Sequence, residues 1–420
     1  MEQDLRKNPA LLKLDLYCKG IRLDEAFTSE DEGGRKILRT RAGLGSGLEA
    51  VLPGGLWTNI PVVEPFAASS PYLATVRDGK VWIDHDELGA VTPIQLAPKP
   101  AWYDEKTSTG KPMTRIGSLQ GTYLGVYPSK VCEYWLEDPK EQCRYCSVGL
   151  NLGADDADEK SVAEVAEVVR AARKGSGITY VDFNTGHYEG ETYLDILEPY
   201  IRRVKEETGV LVGVQTQPHS DLKRDHELRK MGVNRLSFCF ELYNRERFET
   251  VCPGKHREYG LDRYLEAVEY CANEVGPTGR DFEPWVVNGE IIAGLESPQD
   301  SIDAIDWITG VGAVPTVCVF RPLIGTDYAD VPPPKTEEMV PVFRRMYEAC
   351  MEKGVPIGVA PNVHVSLVML PREARMLMDN PNRFWMQELK LKAMSKAFSV
   401  RFNRELKKAE SAAPVYASQV

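Results

Sequence analysis

The chain has 420 residues, 43 % of them hydrophobic and 27 % charged, with a formal net charge of −11. Such a composition suits a folded chain of one large domain with attachments or of two domains, and the acidic balance argues against nucleic acid or an anionic membrane as partner, because both reward a basic surface. No run of about 18 apolar residues could span a bilayer, the charged stretch Met1 to Asp15 lacks the apolar core of a secretory signal, and nine scattered cysteines fit a reducing cytoplasm better than a disulfide framework.

Residues 1–115 are rich in Gly and Pro, with no long helical periodicity after Glu25. Asp78-Gly79, between Thr75-Val76-Arg77 and Lys80-Val81-Trp82-Ile83, is a hairpin signal. Gly54-Gly55 and Pro98 to Pro100 mark further turns. This stretch reads as a small β-containing N-terminal extension.

From 116 to 370 strands and helices alternate. Tyr123 to Tyr127 is a short strand. A helix from Ser161 to Lys174 puts Val162, Val165, Val169 and Ala172 on one face. Strand Ile178 to Phe183, helix Tyr193 to Glu207, strand Val210 to Thr216 and helix Leu222 to Met231 follow, with Gly209 and Gly232 as helix stops. Strand Arg235 to Glu241, helix Leu261 to Glu274, strand Trp285 to Ile292, helix Gln299 to Thr309, strand Thr316 to Arg321, helix Thr336 to Lys353 and strand Pro356 to Ala360 complete the series. The rhythm predicts an α/β fold, a partial or full TIM-like (β/α) barrel, since no dinucleotide Gly fingerprint follows the first strand. Residues 371–420 form a basic helical tail, with helices at Phe384 to Met394 and Arg401 to Lys408 and a disordered end from Ser411 to Val420.

The chemistry-bearing motif is Cys132, ten residues, then Cys143-Arg-Tyr-Cys146. It follows the first barrel strand, on the face where barrels place their active sites. Three thiolates from one loop can ligate three irons of a [4Fe–4S] cube and leave the fourth open. The competing reading is structural zinc, which wants four protein ligands, often as paired knuckles; only one close Cys pair is present. His187, His219 and His256 could add to it only through the fold.

On these residues the sequence resembles the radical S-adenosylmethionine superfamily, nearest to its biotin synthase-like and tyrosine lyase-like members. Tyr145 fills the aromatic slot of that family's Cys-x3-Cys-x-aromatic-Cys motif, although the first gap is ten residues rather than three. The resemblance covers about 116–370. It implies that Asn184-Thr185-Gly186 holds the methionine amino group, that Glu241 contacts the ribose or amino group, that Lys255 or Arg257 pairs with the methionine carboxylate, and that the segment around Gly289 and Ile291 packs on adenine. It further implies S-adenosylmethionine and a [4Fe–4S] cluster as cofactors and a reducing electron donor of the flavodoxin or ferredoxin kind. Period-two spacing offers Asp182, Gln215, Gln217, Asn288, Glu290 and Arg321 as interior groups for a substrate; the structural alternative for each is a satisfied hydrogen-bonder. The implied activity is reductive cleavage of S-adenosylmethionine and hydrogen abstraction from a small molecule or cofactor precursor. The alternatives are a radical enzyme modifying RNA or protein, and a barrel protein with a structural metal. The other six cysteines read as core, with Cys239 and Cys252 flanking the site.

Overall fold

The structure is a computed structural model and describes residues 5–25, 47–128, 130–273 and 283–412. The expected disordered end lies outside the described residues, apart from Ser411 and Ala412, which close the last helix.

The first sheet contains β1 (Arg22–Leu23), β2 (Gly47–Leu52), β3 (Leu56–Pro61), β4 (Tyr72–Arg77), β5 (Lys80–His85) and β6 (Gly89–Leu96), in spatial order β1-β4-β5-β6-β2-β3. Asp78 and Gly79 take positive φ of 49° and 70° between β4 and β5, the left-handed pair that matches strand twist in a two-residue hairpin. Helix α1 (Pro9–Lys19) packs against this sheet and is buried nearly all round, Lys13 and Asp15 included. The Lys13 ammonium is neutralised by Glu373 at 2.7 Å, which ties the N-terminal region to the segment beneath the second sheet.

The second sheet contains β7 (Ser118–Leu119), β8 (Leu124–Val126), β9 (Tyr180–Asn184), β10 (Leu211–Thr216), β11 (Arg235–Glu241), β12 (Val286–Ala293) and β13 (Val314–Val319), hydrogen-bonded in sequence order. From β8 to β13 every pairing is parallel; β7 is antiparallel to β8. Helices α2 (Val162–Ser176), α3 (Tyr193–Thr208), α4 (Leu222–Met231), α5 (Gly260–Asn273), α6 (Pro298–Gly310) and α7 (Thr336–Lys353) alternate with these strands. Four of them have a clear local start or stop. Ser161 and Glu164 form a capping box at α2, and Gly177, Gly209, Gly232 and Gly354 stop α2, α3, α4 and α7 in the left-handed region. With β13 and β7 as its two edges, this is a curled partial barrel.

Two expectations need correction. Pro356 to Ala360 is not a strand: Pro356 and Pro361 have no N–H to give a ladder, and Gly358 is left-handed with φ 63°. Residues 356–371 instead run under the N-terminal ends of the strands. The Thr179 hydroxyl donates to the Pro361 carbonyl at 2.7 Å, the Asn362 amide donates to the Gly177 carbonyl at 3.0 Å, and Val365 bridges to Gly121. The two expected C-terminal helices are one, α8 (Trp385–Ala412), because nothing between Met394 and Arg401 breaks a helix: the stretch has neither Gly nor Pro.

Candidate active site

Alternation along the strands sends one set of side chains inward. Tyr180, Asp182 and Asn184 of β9, Gln215 of β10, Arg235, Cys239 and Glu241 of β11, Asn288 and Glu290 of β12, and Thr316 and Cys318 of β13 line a cavity of about 1140 Å³. Its upper end is closed by the loop after β8, so that Cys132, Cys143 and Cys146 line the same space, with Tyr134, Trp135 and Tyr145.

The cysteine loop is fixed by neighbours on two sides. On one side Gly186 lies against it: a Cβ there would stand 2.5 Å from the Cys132 Cβ and 2.7 Å from its Cα, a closeness only glycine allows. The next backbone N–H, of His187, donates to Cys132 Sγ at 3.3 Å. The His187 ring stacks on Tyr134 at 4.4 Å and bonds the Tyr259 hydroxyl at 2.7 Å; burial pushes its pKa down. On the other side the Arg144 N–H donates to the Val251 carbonyl and the Gly254 N–H to the Glu141 carbonyl, bringing Cys252 beside Cys143. A hydrogen bond from Cys252, helped by Lys255 and opposed by burial, lowers the Cys143 thiol to about 7. Burial raises Cys132 to about 11 and Cys146 to about 12. Among the described residues no three Cys, His, Asp or Glu side chains are gathered tightly enough to hold a single metal ion, for which tetrahedral Zn–S bonds of about 2.3 Å are required.

Beneath the thiols the cavity is charged. Lys255, buried, donates to Glu241 Oε1 at 2.9 Å and to the Cys239 carbonyl. Burial works against the ammonium, but the Glu241 carboxylate, with Tyr264, Cys143 and Cys252, outweighs it and holds Lys255 well above the ordinary lysine range. Glu241 has φ 68° and follows a register shift at the end of β11. A left-handed non-glycine at a bulge re-aims a side chain at a backbone cost that its surroundings must hold in place; here Lys255 does so. Lower down, Arg235 donates to Asn288 Oδ1 at 3.1 Å and to Asp182 Oδ1 at 3.2 Å, and lies 3.5 Å from Glu290. Glu290 also accepts from Gln215 at 2.9 Å and from Ser237 at 3.1 Å. Burial raises the Glu290 carboxyl to about 7 despite Arg235 and raises Asp182 as well.

Of the residues singled out from the sequence, the cavity brings together the three cysteines, Asn184, Thr185, Gly186, Glu241, Lys255, Asp182, Gln215, Gln217 and Asn288. Four lie elsewhere. Arg257 is on the surface, paired with Glu137 at 2.7 Å and Glu141 at 3.5 Å, where it braces the cysteine loop from outside; of the two candidate cations Lys255 faces the cavity. Gly289 and Ile291 alternate with Asn288 and Glu290 and so point to the helical layer, Gly289 against Ile308 of α6. Arg321 donates to the Asn59 carbonyl at 2.8 Å and lies 3.8 Å from Glu64, joining the first sheet to the barrel edge. Sequence reasoning missed Arg235, the hub of the interior network. Its signal was available: it shares strand phase with Ser237 and Cys239.

The residues present fit a bound polar group below the thiols. Asn184, Gln142 and Tyr134 line the cavity and are buried, and Asn184 Oδ1, Gln142 Oε1 and the Tyr134 hydroxyl have no hydrogen-bond partner among the described residues. A buried polar atom left unmet costs about 1–3 kcal/mol, so three around one space point to a ligand that meets them.

No protein-family model matches the chain. It is 22 % identical over 260 residues to a bacteriochlorophyllide c C-7(1)-hydroxylase of Chlorobaculum limnaeum, covering 57 % of this chain and 63 % of that protein. The chain thus spans a little less than two thirds of that relative. Among solved structures, methylornithine synthase matches at 19 % identity over 54 % of this chain and 62 % of its own, with a TM-score of 0.40. Coproporphyrinogen III oxidase of Escherichia coli, described as a radical SAM enzyme, matches at 15 % identity over 42 % and 41 % of the two chains, with a TM-score of 0.31.

Proposed function

We propose that the chain is a radical S-adenosylmethionine enzyme acting on a small molecule or cofactor precursor. The observation that carries the reading is the convergence of Cys132, Cys143 and Cys146 on the strand-end mouth of one cavity whose wall supplies a cation and three unmet polar atoms. A [4Fe–4S] cluster on the three thiolates, with S-adenosylmethionine on its open iron, would supply reductive cleavage to methionine and a 5′-deoxyadenosyl radical. The chain's own part is binding and shielding. Lys255 meets the methionine carboxylate, Asn184 and the Gly186 backbone the amino group, and Glu241 the ribose. Buried Tyr127 and Tyr134 in the wall of the site exclude water. Arg235, Asp182, Asn288 and Glu290 then remain to orient a substrate lower in the cavity. Drug-sized ligands occupy about 300–1,000 Å³, so a cavity of about 1140 Å³ has room for a cosubstrate and a second molecule. The relative from Chlorobaculum is named for a change at one carbon of a bacteriochlorophyllide, and a large substrate of that kind is compatible with the space.

The test is anaerobic reconstitution with iron and sulfide, then incubation with dithionite and S-adenosylmethionine. The reading expects 5′-deoxyadenosine by chromatography, and none from a Lys255→Met variant that retains its iron. Iron-loaded protein that forms no 5′-deoxyadenosine would refute it.

A further inference from the structure

The charge of the chain is unevenly placed. Between Arg383 and Lys408 there are eight Lys and Arg against Glu388 and Glu405, in a chain whose total is −11. All but its first two residues lie in α8, which turns Leu391, Phe402 and Leu406 to the body of the protein. Its opposite face carries Trp385, Met386, Leu389 and Val400, each about 60 % exposed. Steps of three and four residues align Trp385, Leu389, Ala393 and Val400 in one stripe. Lys390 and Lys392 flank that stripe, Lys396 stands within it between Ala393 and Val400, and all three are exposed.

An apolar stripe with Trp and Leu, edged by lysines that can extend to headgroups, is the pattern of a helix lying in a bilayer interface. Two other occupants fit less well. A second copy offering the same face would oppose like charges. An acidic electron-donor protein would need to approach the thiol loop, whereas α8 lines the other end of the cavity through Met394, Ser395 and Phe398 together with residues 356–363.

We propose that α8 docks the protein on an anionic lipid surface, its apolar stripe buried at the acyl boundary and its lysines on the headgroups. The contact places α8 between the lower end of the cavity and the bilayer. It does not depend on the chemistry assigned to the thiols.

The test is flotation of the full-length protein with vesicles of phosphatidylcholine alone or with added phosphatidylglycerol. The proposal expects flotation only with the anionic vesicles. Trp385→Ser with Leu389→Ser should lower partitioning at least about tenfold, with far-UV dichroism and melting temperature unchanged. Lys390→Glu with Lys392→Glu and Lys396→Glu should abolish it. Failure to float with phosphatidylglycerol overturns the proposal. So does flotation indifferent to the Trp385 and Leu389 changes, or a gel shift of transfer RNA without vesicle binding, or a lipid-free dimer that the same changes dissolve.

Discussion

Replacing Gly186 by Ala should detach the cysteine loop from β9 while leaving the barrel folded. The added Cβ would stand 2.5 Å from Cys132 Cβ, 2.7 Å from Cys132 Cα and 2.8 Å from the Tyr127 hydroxyl. Carbon atoms pack at about 3.5–4.0 Å, so one wall must move by roughly 1 Å. Two of the three obstacles are the Cα and Cβ of Cys132, which no rotamer change removes; the loop itself must shift. Overpacking of this kind costs about 1–3 kcal/mol. The larger effect falls on the ligand: a shift of roughly 1 Å moves Cys132 Sγ away from the His187 N–H, and losing such an outer partner typically costs about 10–100-fold in metal affinity. Iron per chain after anaerobic reconstitution and desalting measures it. Gly310→Ala is the control, because a Cβ there meets nothing within 4 Å. The expected result is iron lost in Gly186→Ala and kept in Gly310→Ala. Equal iron in Gly186→Ala and wild type would refute the reasoning.

Other expectations are briefer. Lys255→Met or Glu241→Gln alone leaves one buried partner unmet at a cost of about 3–5 kcal/mol, whereas the double variant recovers part of that loss; additivity within about 0.5 kcal/mol in denaturation would show the pair uncoupled. With the folded Lys255 pKa raised, this contribution is complete below the unfolded lysine pKa of about 10.4 and fades only above it, so the cycle should be flat from pH 6 to 9. Glu290 acts in the same direction but in a lower pH window. Its folded carboxyl sits at about 7 against about 4.3 unfolded, so the folded state binds the extra proton and stability falls as pH rises between those values, by at most about 3.7 kcal/mol. Glu290→Gln should flatten the melting temperature between pH 5 and 8; an unchanged slope would contradict the assignment.

The barrel was legible because its helices and strands carry separate periods and clear stops. Leu222–Met231, Arg235–Glu241 and Thr336–Lys353 match the sequence reading residue for residue. The cysteine motif was legible as chemistry because three thiols in one loop after a strand have few structural uses. Failures came where the backbone alone does not decide. Pro356 to Ala360 is apolar enough for a strand, but its prolines make it a floor. Arg321 carries a charge that suits a substrate, yet its partners, Asn59 of the distant first sheet and Glu64 just after it, lie far away in sequence, and no local pattern reports that. Assigning both Asn288 and Gly289 to the interior ignored strand alternation, which the sequence did contain.

Iron stoichiometry and electron paramagnetic resonance of the anaerobically reconstituted chain, compared with Cys132→Ala, Cys143→Ala, Cys146→Ala and Cys252→Ala, test the central claim most directly. The account predicts about four irons and a reduced-cluster signal in wild type and Cys252→Ala, both lost in each of the other three. A colourless wild-type protein with about one zinc, or a cluster that survives all three substitutions, would contradict it.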